Sequence, residues 1–247
     1  VTDAHPYRRI VDDIRRAIEE GELRPGDRVP SIPELGRTYN VAKTTAERVH
    51  AALRAEGLVV SRKGAGVYVR TFQTIVRSSP NRLARSRWGA GNAIQDADTA
   101  PRPRTVDVQV GEIPAPRWLA EPLGVEVGDL IVYRSRRFVV DDRSVQLATS
   151  YVTVEVAADV PEIKHTDTGP GGMYARMAER GHEPTHFVER VRSRMPLAEE
   201  IATLELPPGT PVMEITRRAI TSDDRCVEVN RMIVDATVYE LDYHFNA

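Results

Sequence analysis

Cysteine is nearly missing from this chain: Cys226 is the single one in 247 residues. It cannot close an internal disulfide, so the expectation is a protein of a reducing, cytoplasmic compartment. Nor is there an apolar run near the roughly 20 residues needed to cross a bilayer, or a basic-then-apolar start, so no membrane partner is expected. No serine sits in a nucleophile-elbow motif, which leaves no sign of a hydrolase triad. His182 and His186 are four apart, but Pro184 lies between them and spoils the helical geometry a metal would use. Lysine is scarce as well, and only Lys164 occurs in the second half, in a loop-like setting that does not suit a cofactor lysine. No catalytic residue, metal or cofactor is therefore expected.

Apolar residues make up 41% and charged residues 28%, an ordinary balance that supplies cores for two domains. The net charge of −2 conceals a gradient. Residues 1–70 carry +3, residues 71–104 carry +4 and residues 105–247 carry −9. A basic front and an acidic back point to two domains with different partners.

In the front, Ile10, Val11, Ile14, Ala17 and Ile18 recur at helical spacing, predicting a helix over 6–20 that Gly21 ends. Ser31 followed by Glu34 is a capping box, with Pro33 in the first turn of a helix over about 32–39. A third helix is predicted over about 43–56, with Ala46, Val49, Ala52 and Leu53 buried and Gly57 as its stop. Residues 58–61 and 67–70 read as a hairpin closed by Lys63-Gly64-Ala65-Gly66. This order is a winged helix-turn-helix. A helix enters the major groove with its N-terminal residues toward base edges, so Lys43, Thr44, Thr45 and Arg48 are the candidate readers. Arg62 and Lys63, with Gly64 and Gly66 removing bulk, suit a hairpin tip against the DNA backbone or minor groove. The competing account is a solvated three-helix bundle with an idle hairpin.

Pro30-Ser31, Glu34-Leu35, Val41, Thr44-Thr45, Arg48, Leu53, Glu56-Gly57 and Gly64-Ala65-Gly66-Val67-Tyr68-Val69 carry a resemblance. Over 6–70 the chain resembles the GntR family of bacterial transcription regulators. The resemblance implies DNA contacts from Arg28 and Ser31 as well as from the recognition helix and the wing. Pro33 and Glu47 stand where many members have arginine, and Lys43 where arginine is common, so a distinct operator sequence is expected.

Residues 71–104 read as a linker and the entry to a second domain. Arg77, Arg82, Arg85 and Arg87 either add phosphate contacts beside DNA or form a solvated, charged connector. Residues 89–94, GAGNAI, are a weak match to a nucleotide loop, because the third glycine and a preceding strand are missing.

Residues 105–247 alternate between β-rich runs and short helices, an α+β pattern with a mainly antiparallel sheet. Strands are predicted over 130–140 and 145–154 around an Asp141-Asp142-Arg143 turn, then over 187–195, 211–221, 227–234 and 238–245. Helices are predicted over 173–180 and 196–204. The stretches 132–152, 196–217 and 223–236 resemble the UTRA effector-binding domain of the HutC subfamily, a chorismate lyase-like fold. Arg134 and Arg136 share a strand face and suit a carboxylate or phosphate. The resemblance places the usual arginine pair at Arg136 and Phe138, so Phe138 is a departure. Gly171 and Gly172 precede a helix, where bare N–H groups could cradle an anion, or the stretch is an ordinary Gly/Pro loop. Glu228 and Asn230 share a late strand's face. The resemblance implies that Glu228 accepts from a ligand hydroxyl, and a structural ion pair is the alternative.

The expectation is a transcription factor, a homodimeric repressor on an inverted-repeat operator in double-stranded DNA, controlled by a small anionic effector. The alternatives are an enzyme acting on a small anionic substrate through the chorismate lyase-like domain, and a DNA-binding module whose second domain only dimerises.

Overall fold

The computed structural model describes residues 6–62, 64–70, 74–92, 94, 103–207 and 209–244. Its chain divides into two compact units, one of residues 1–73 with Leu206–Thr210 and the other of residues 74–205 and 211–247. The first is built on helices α1 (Pro6–Glu19), α2 (Ile32–Tyr39) and α3 (Lys43–Ala55), followed by strands β1 (Val59–Arg62) and β2 (Gly66–Val69). Ile10, Val11 and Ile14 of α1 bury their stripe against Leu35 of α2 and Ala46, Val49 and Leu53 of α3. The Ser31 cap forms in both directions: Glu34 N–H donates to Ser31 Oγ, and Ser31 N–H donates to Glu34 Oε2 at 2.6 Å. Hydrogen bonding from the Ser31 hydroxyl, and then from the Ser31 N–H, holds the Glu34 carboxyl below the usual carboxylate range. Asn40 closes α2 in the left-handed conformation at φ 49°. β1 and β2 pair antiparallel with Arg62 opposite Gly66.

The second unit is a six-stranded antiparallel sheet with helices on it. Its strands are β4 (Arg104–Pro114), β5 (Leu130–Val140), β6 (Arg143–Thr153), β7 (His186–Arg194), β8 (Val212–Ile220) and β9 (Cys226–Asp235). They lie in the order β4-β5-β6-β9-β8-β7. Asp141 and Asp142, at φ 46° and 59°, make the tight turn from β5 to β6, as their spacing predicts. Helix α7 (Val154–Asp159) and helix α8 (Gly172–Glu179) cover one face, with Val132, Val152, Val156, Tyr174 and Met177 in the core between. Helix α6 (Arg117–Leu123) closes a second core against Ile131 and Val229, and α9 (Ala198–Leu204) precedes β8.

Two expectations need correction. The run 238–245 is only a short strand, β10 (Tyr239–Leu241), and it stays outside the main sheet. It pairs in parallel with β3 (Ile75–Arg77), which the sequence reading had not recognised as a strand. The second correction concerns the basic stretch 77–88, which is neither a solvated connector nor free for phosphate along its length. It forms β3 and two single-turn helices, α4 (Ser79–Arg82) and α5 (Arg85–Trp88), of the second unit. Arg77 and Arg82 are 0% and 1% exposed. Trp88 is buried and donates from its indole nitrogen to Leu83 O at 3.1 Å, so the GAGNAI segment follows a core anchor, not a nucleotide loop. Arg85 is exposed and pairs with Glu183, and Arg87 is exposed.

Candidate functional site

In the first unit, α3 begins at Lys43 after Ala42, which offers no side-chain acceptor. The free N–H groups and positive dipole end of that first turn are thus open to an anion. Lys43 and Thr44 are exposed there, and Thr45 is half-buried beside them. Lys43 pairs loosely with Glu47 at 3.6 Å, so the acid carries part of the local charge. The Arg48 guanidinium lies 4.6 Å from the Tyr7 ring centroid, which braces it on the helix flank. His50 Nε2 lies 2.8 Å from Pro30 O, tying α3 to the start of α2. The wing meets the same neighbourhood: Arg28 bridges Tyr68, and a Cβ on Gly66 would come within 3.2 Å of Arg28 Nε. Gly66 has φ +120°, so an L side chain there is strained as well as crowded. Tyr68 donates to Ala65 O at 2.9 Å and holds the turn. The structure therefore assembles Arg28, Gly64 and Gly66 at the wing, and Lys43, Thr44, Thr45 and Arg48 along α3. Ser31 spends its hydroxyl on the cap. Of Arg62 the backbone position is described, and Lys63 lies outside the described residues.

The second unit holds a cavity of about 310 Å³ between the sheet face and the start of α8. Arg134, Arg136, Gly171, Gly172 and Glu228, five of the six residues singled out from the sequence, line it. Asn230 stands behind, donating to Ser150 Oγ at 3.1 Å and to Glu228 Oε1 at 3.2 Å. Strand register explains the convergence. Arg134, Ser150, Asn230, Arg217 and Glu189 are paired strand to strand across β5, β6, β9, β8 and β7. They form one polar row on one face of the sheet.

Within that row, Arg134 donates to the His165 and Thr166 carbonyls at 3.3 and 2.8 Å, fixing the loop over the cavity. Arg136 donates to Ser150 Oγ at 2.9 Å and lies over the Phe138 ring. Phe138, noted as a departure, is thus a wall of the cavity and a platform for Arg136. Burial, with Arg134 nearby, pushes the Arg136 pKa down to about 10, which still leaves it charged at neutral pH. Arg217 was not anticipated, yet it lines the cavity at 2% exposure. Burial opposes its charge, but Tyr174, Glu228 and Glu189 outweigh burial and raise its pKa. Its Nε and Nη1 have no hydrogen-bond partner among the described residues. Tyr174 also escaped sequence reasoning. Burial lifts its phenol well above the ordinary value, so it remains protonated and donates to Glu228 Oε2 at 2.5 Å. Three guanidinium groups thus face the cavity against the buried Glu228, already engaged, and the exposed Asp167.

The glycine reading needs revision. Gly171 N–H donates to Gly91 O at 2.8 Å and Gly172 N–H to Gly169 O at 3.0 Å. Neither amide is bare, so these residues shape the wall without cradling an anion through their own N–H groups. His182 is buried with Nε2 2.8 Å from Asp159 Oδ2, while His186 opens β7 and is exposed.

Comparison with known proteins agrees with both halves. Residues 6–69 match the family described as bacterial regulatory proteins, gntR family, and residues 101–240 match the UTRA domain. The chain is 28% identical to an uncharacterised HTH-type transcriptional regulator of Streptomyces coelicolor, covering 98% of this chain and 93% of the relative. It is 26% identical to the HTH-type transcriptional repressor PhnF of Mycolicibacterium smegmatis, over 85% of this chain and 81% of that one. Among solved structures, a GntR-family transcriptional regulator superposes with TM-score 0.64 at 28% identity, covering 99% of both chains. A second unit with this sheet, joined to a winged helix-turn-helix, is the architecture expected of the HutC subfamily. The chain belongs to the GntR family of bacterial transcriptional regulators, with a helix-turn-helix DNA-binding domain and a UTRA effector-binding domain.

Proposed function

We propose that the protein is a cytoplasmic, homodimeric repressor that binds an inverted-repeat operator and responds to a small anionic effector. The convergence of Arg134, Arg136 and Arg217 on one cavity carries this reading. Their charge is only partly balanced from within: Glu228 is held by Tyr174 and Asn230, Glu189 is shared between Arg217 and Arg77, and Asp167 is exposed. Guanidinium groups match carboxylate and phosphate oxygens in shape and charge, and a ligand anion is the natural counter-ion. On the DNA side, Lys43, Thr44, Thr45 and Arg48 face base edges, while Arg28, Ser31 and the wing residues Arg62, Lys63, Gly64 and Gly66 approach the backbone. Two such heads in a dimer read half-sites one or two helical turns apart. Effector binding shifts the spacing or orientation of the heads, with a coupling of about 1–3 kcal/mol.

The test is a mobility-shift assay with duplexes from the flanks of the gene, at moderate salt, with and without anionic metabolites. Selective retention of one fragment, weakened or strengthened by an anion, supports the reading. Equal retention of all fragments refutes it. Light scattering in solution checks the dimer. Incubation with chorismate tests the enzyme alternative, which predicts release of pyruvate where the regulator reading predicts none.

A further inference from the structure

The polar row does not stop at the cavity. Glu189, at its end on β7, is 9% exposed in its side chain and does not line the cavity. Its Oε1 lies 3.7 Å from Arg217 Nη1 and accepts from Arg77 Nη2 at 2.6 Å. Its Oε2 accepts from Ser79 Oγ at 2.6 Å. One carboxylate therefore touches the cavity wall on one side and residues 77 and 79 on the other. These last two lie on β3 and α4, the first described elements after residue 73, where the main segment of the DNA-binding unit ends.

Charge makes the arrangement responsive. Arg77, Arg82, Arg134 and Arg217 are buried around this row, and Arg136 is half-buried. The carboxylates buried with them are Glu189 and Glu228. Arg77 and Arg217 compete for Glu189, and like charges in a low-dielectric interior repel strongly. Arg217 lines the cavity; its Nε has no hydrogen-bond partner among the described residues, and its Nη1 meets Glu189 at 3.7 Å without a hydrogen bond. A ligand anion beside the Arg217 guanidinium in the cavity gives Arg217 a counter-ion of its own and leaves Glu189 more fully to Arg77 and Ser79.

We infer that Arg217 is an effector-binding residue for the anionic group of the ligand, a phosphate or carboxylate. We infer further that the Arg217–Glu189–Arg77/Ser79 chain transmits occupancy of the cavity to residues 75–82. The inference rests on the anionic-effector reading and adds the residue that senses the charge and the route by which it is felt. Beyond that segment, at residues 88–91, the chain is fastened to the cavity again, since Gly171 N–H bonds Gly91 O and Trp88 meets Tyr174 edge-on at 6.2 Å. Binding tightens β3 and α4, and whatever follows from residue 74 inward is relayed by covalent continuity.

The test uses the full chain and inorganic phosphate as the probe. Calorimetry gives affinity, and hydrogen exchange with and without phosphate follows peptides spanning 75–82 and 172–179. In the unaltered protein, phosphate is expected to slow exchange in both segments. Arg217→Gln should weaken phosphate binding about tenfold or more, as loss of a charge-assisted bond does, and Arg217→Lys should weaken it less. Glu189→Gln, outside the cavity, should bind within about threefold of the unaltered protein while its 75–82 segment no longer responds. Should Glu189→Gln fail to fold, Ser79→Ala, which removes one of the two bonds to the connector, should blunt the same response. Unchanged affinity in Arg217→Gln, or a full 75–82 response in Glu189→Gln or Ser79→Ala, overturns the inference and leaves the anionic-effector reading standing. No binding of phosphate by the unaltered protein removes both.

Discussion

Replacing Gly171 by alanine separates two costs that usually arrive together. Gly171 has φ +76°, and a Cβ built there would lie 2.4 Å from Trp88 O and 2.6 Å from the Ala175 Cβ. Trp88 O cannot retreat freely, because it accepts from Gly91 N–H at 3.1 Å while Gly91 O accepts from Gly171 N–H at 2.8 Å. Gly169 has nearly the same backbone, φ +79°, but nothing within 4 Å of its would-be Cβ. Gly169→Ala therefore costs only the left-handed strain of an L residue, about 1–2 kcal/mol. Gly171→Ala adds the overpacking term, another 1–3 kcal/mol or so. For a unit of this size each kcal/mol lowers the melting temperature by roughly 2–4 °C. The expected falls are thus about 4 °C for Gly169→Ala and about 10 °C for Gly171→Ala, read from thermal unfolding by circular dichroism. Phosphate affinity should fall in Gly171→Ala, since the start of α8 must shift, and hold in Gly169→Ala. Equal melting shifts in the two variants would refute the claim that the Trp88–Gly91–Gly171 clasp is rigid.

Lys43→Ala should weaken a specific operator more than random DNA in competition assays, and equal weakening would mean that Lys43 meets phosphate alone. Ser31→Ala removes the cap of α2 and should destabilise the DNA-binding domain by about 1 kcal/mol in urea titration. Tyr174→Phe leaves Glu228 with one donor fewer in a buried site and should cost about 1–3 kcal/mol in the same titration. Acid should also act on the second unit. Burial works to raise Glu214, but bonds from Arg194 and Arg231 prevail and hold its carboxyl at about 2. Such a depressed group contributes its full stability above the unfolded value, near 4.5, and loses it as pH falls toward 2. Melting temperature should therefore drop across that interval, and Glu214→Gln should flatten the drop.

What could be read from the sequence was local. The Ser31-to-Glu34 cap, the Asp141-Asp142 turn and the β-rich run 130–140 each signal their element within a few residues, and each appears where the sequence puts it. Strand alternation puts Arg134 with Arg136 and Glu228 with Asn230 on shared faces, and the family resemblance marks Arg136 and Glu228. Arg217 escaped because its place in the cavity depends on long-range strand register, and Tyr174 because α8 must dock on the sheet to bring it to Glu228. Arg217 faces Asn230 only once β8 has paired with β9. Arg77 and Arg82 misled for a related reason. A run of arginines broken by prolines looks solvated until Glu189, more than a hundred positions away, is brought beneath it. The N–H groups of Gly171 and Gly172 misled differently, since their acceptors lie in a loop and a turn that no periodicity announces.

The parallel pairing of Ile75 with Tyr239 has a consequence for synthesis. A ribosome makes the DNA reader first, and its three helices and wing can settle from local sequence alone. The strand that anchors the reader's exit waits for a partner made 164 residues later. Until residues 239–241 are made β3 has no strand partner, and Leu206–Thr210, which cluster with the reader, also arrive late.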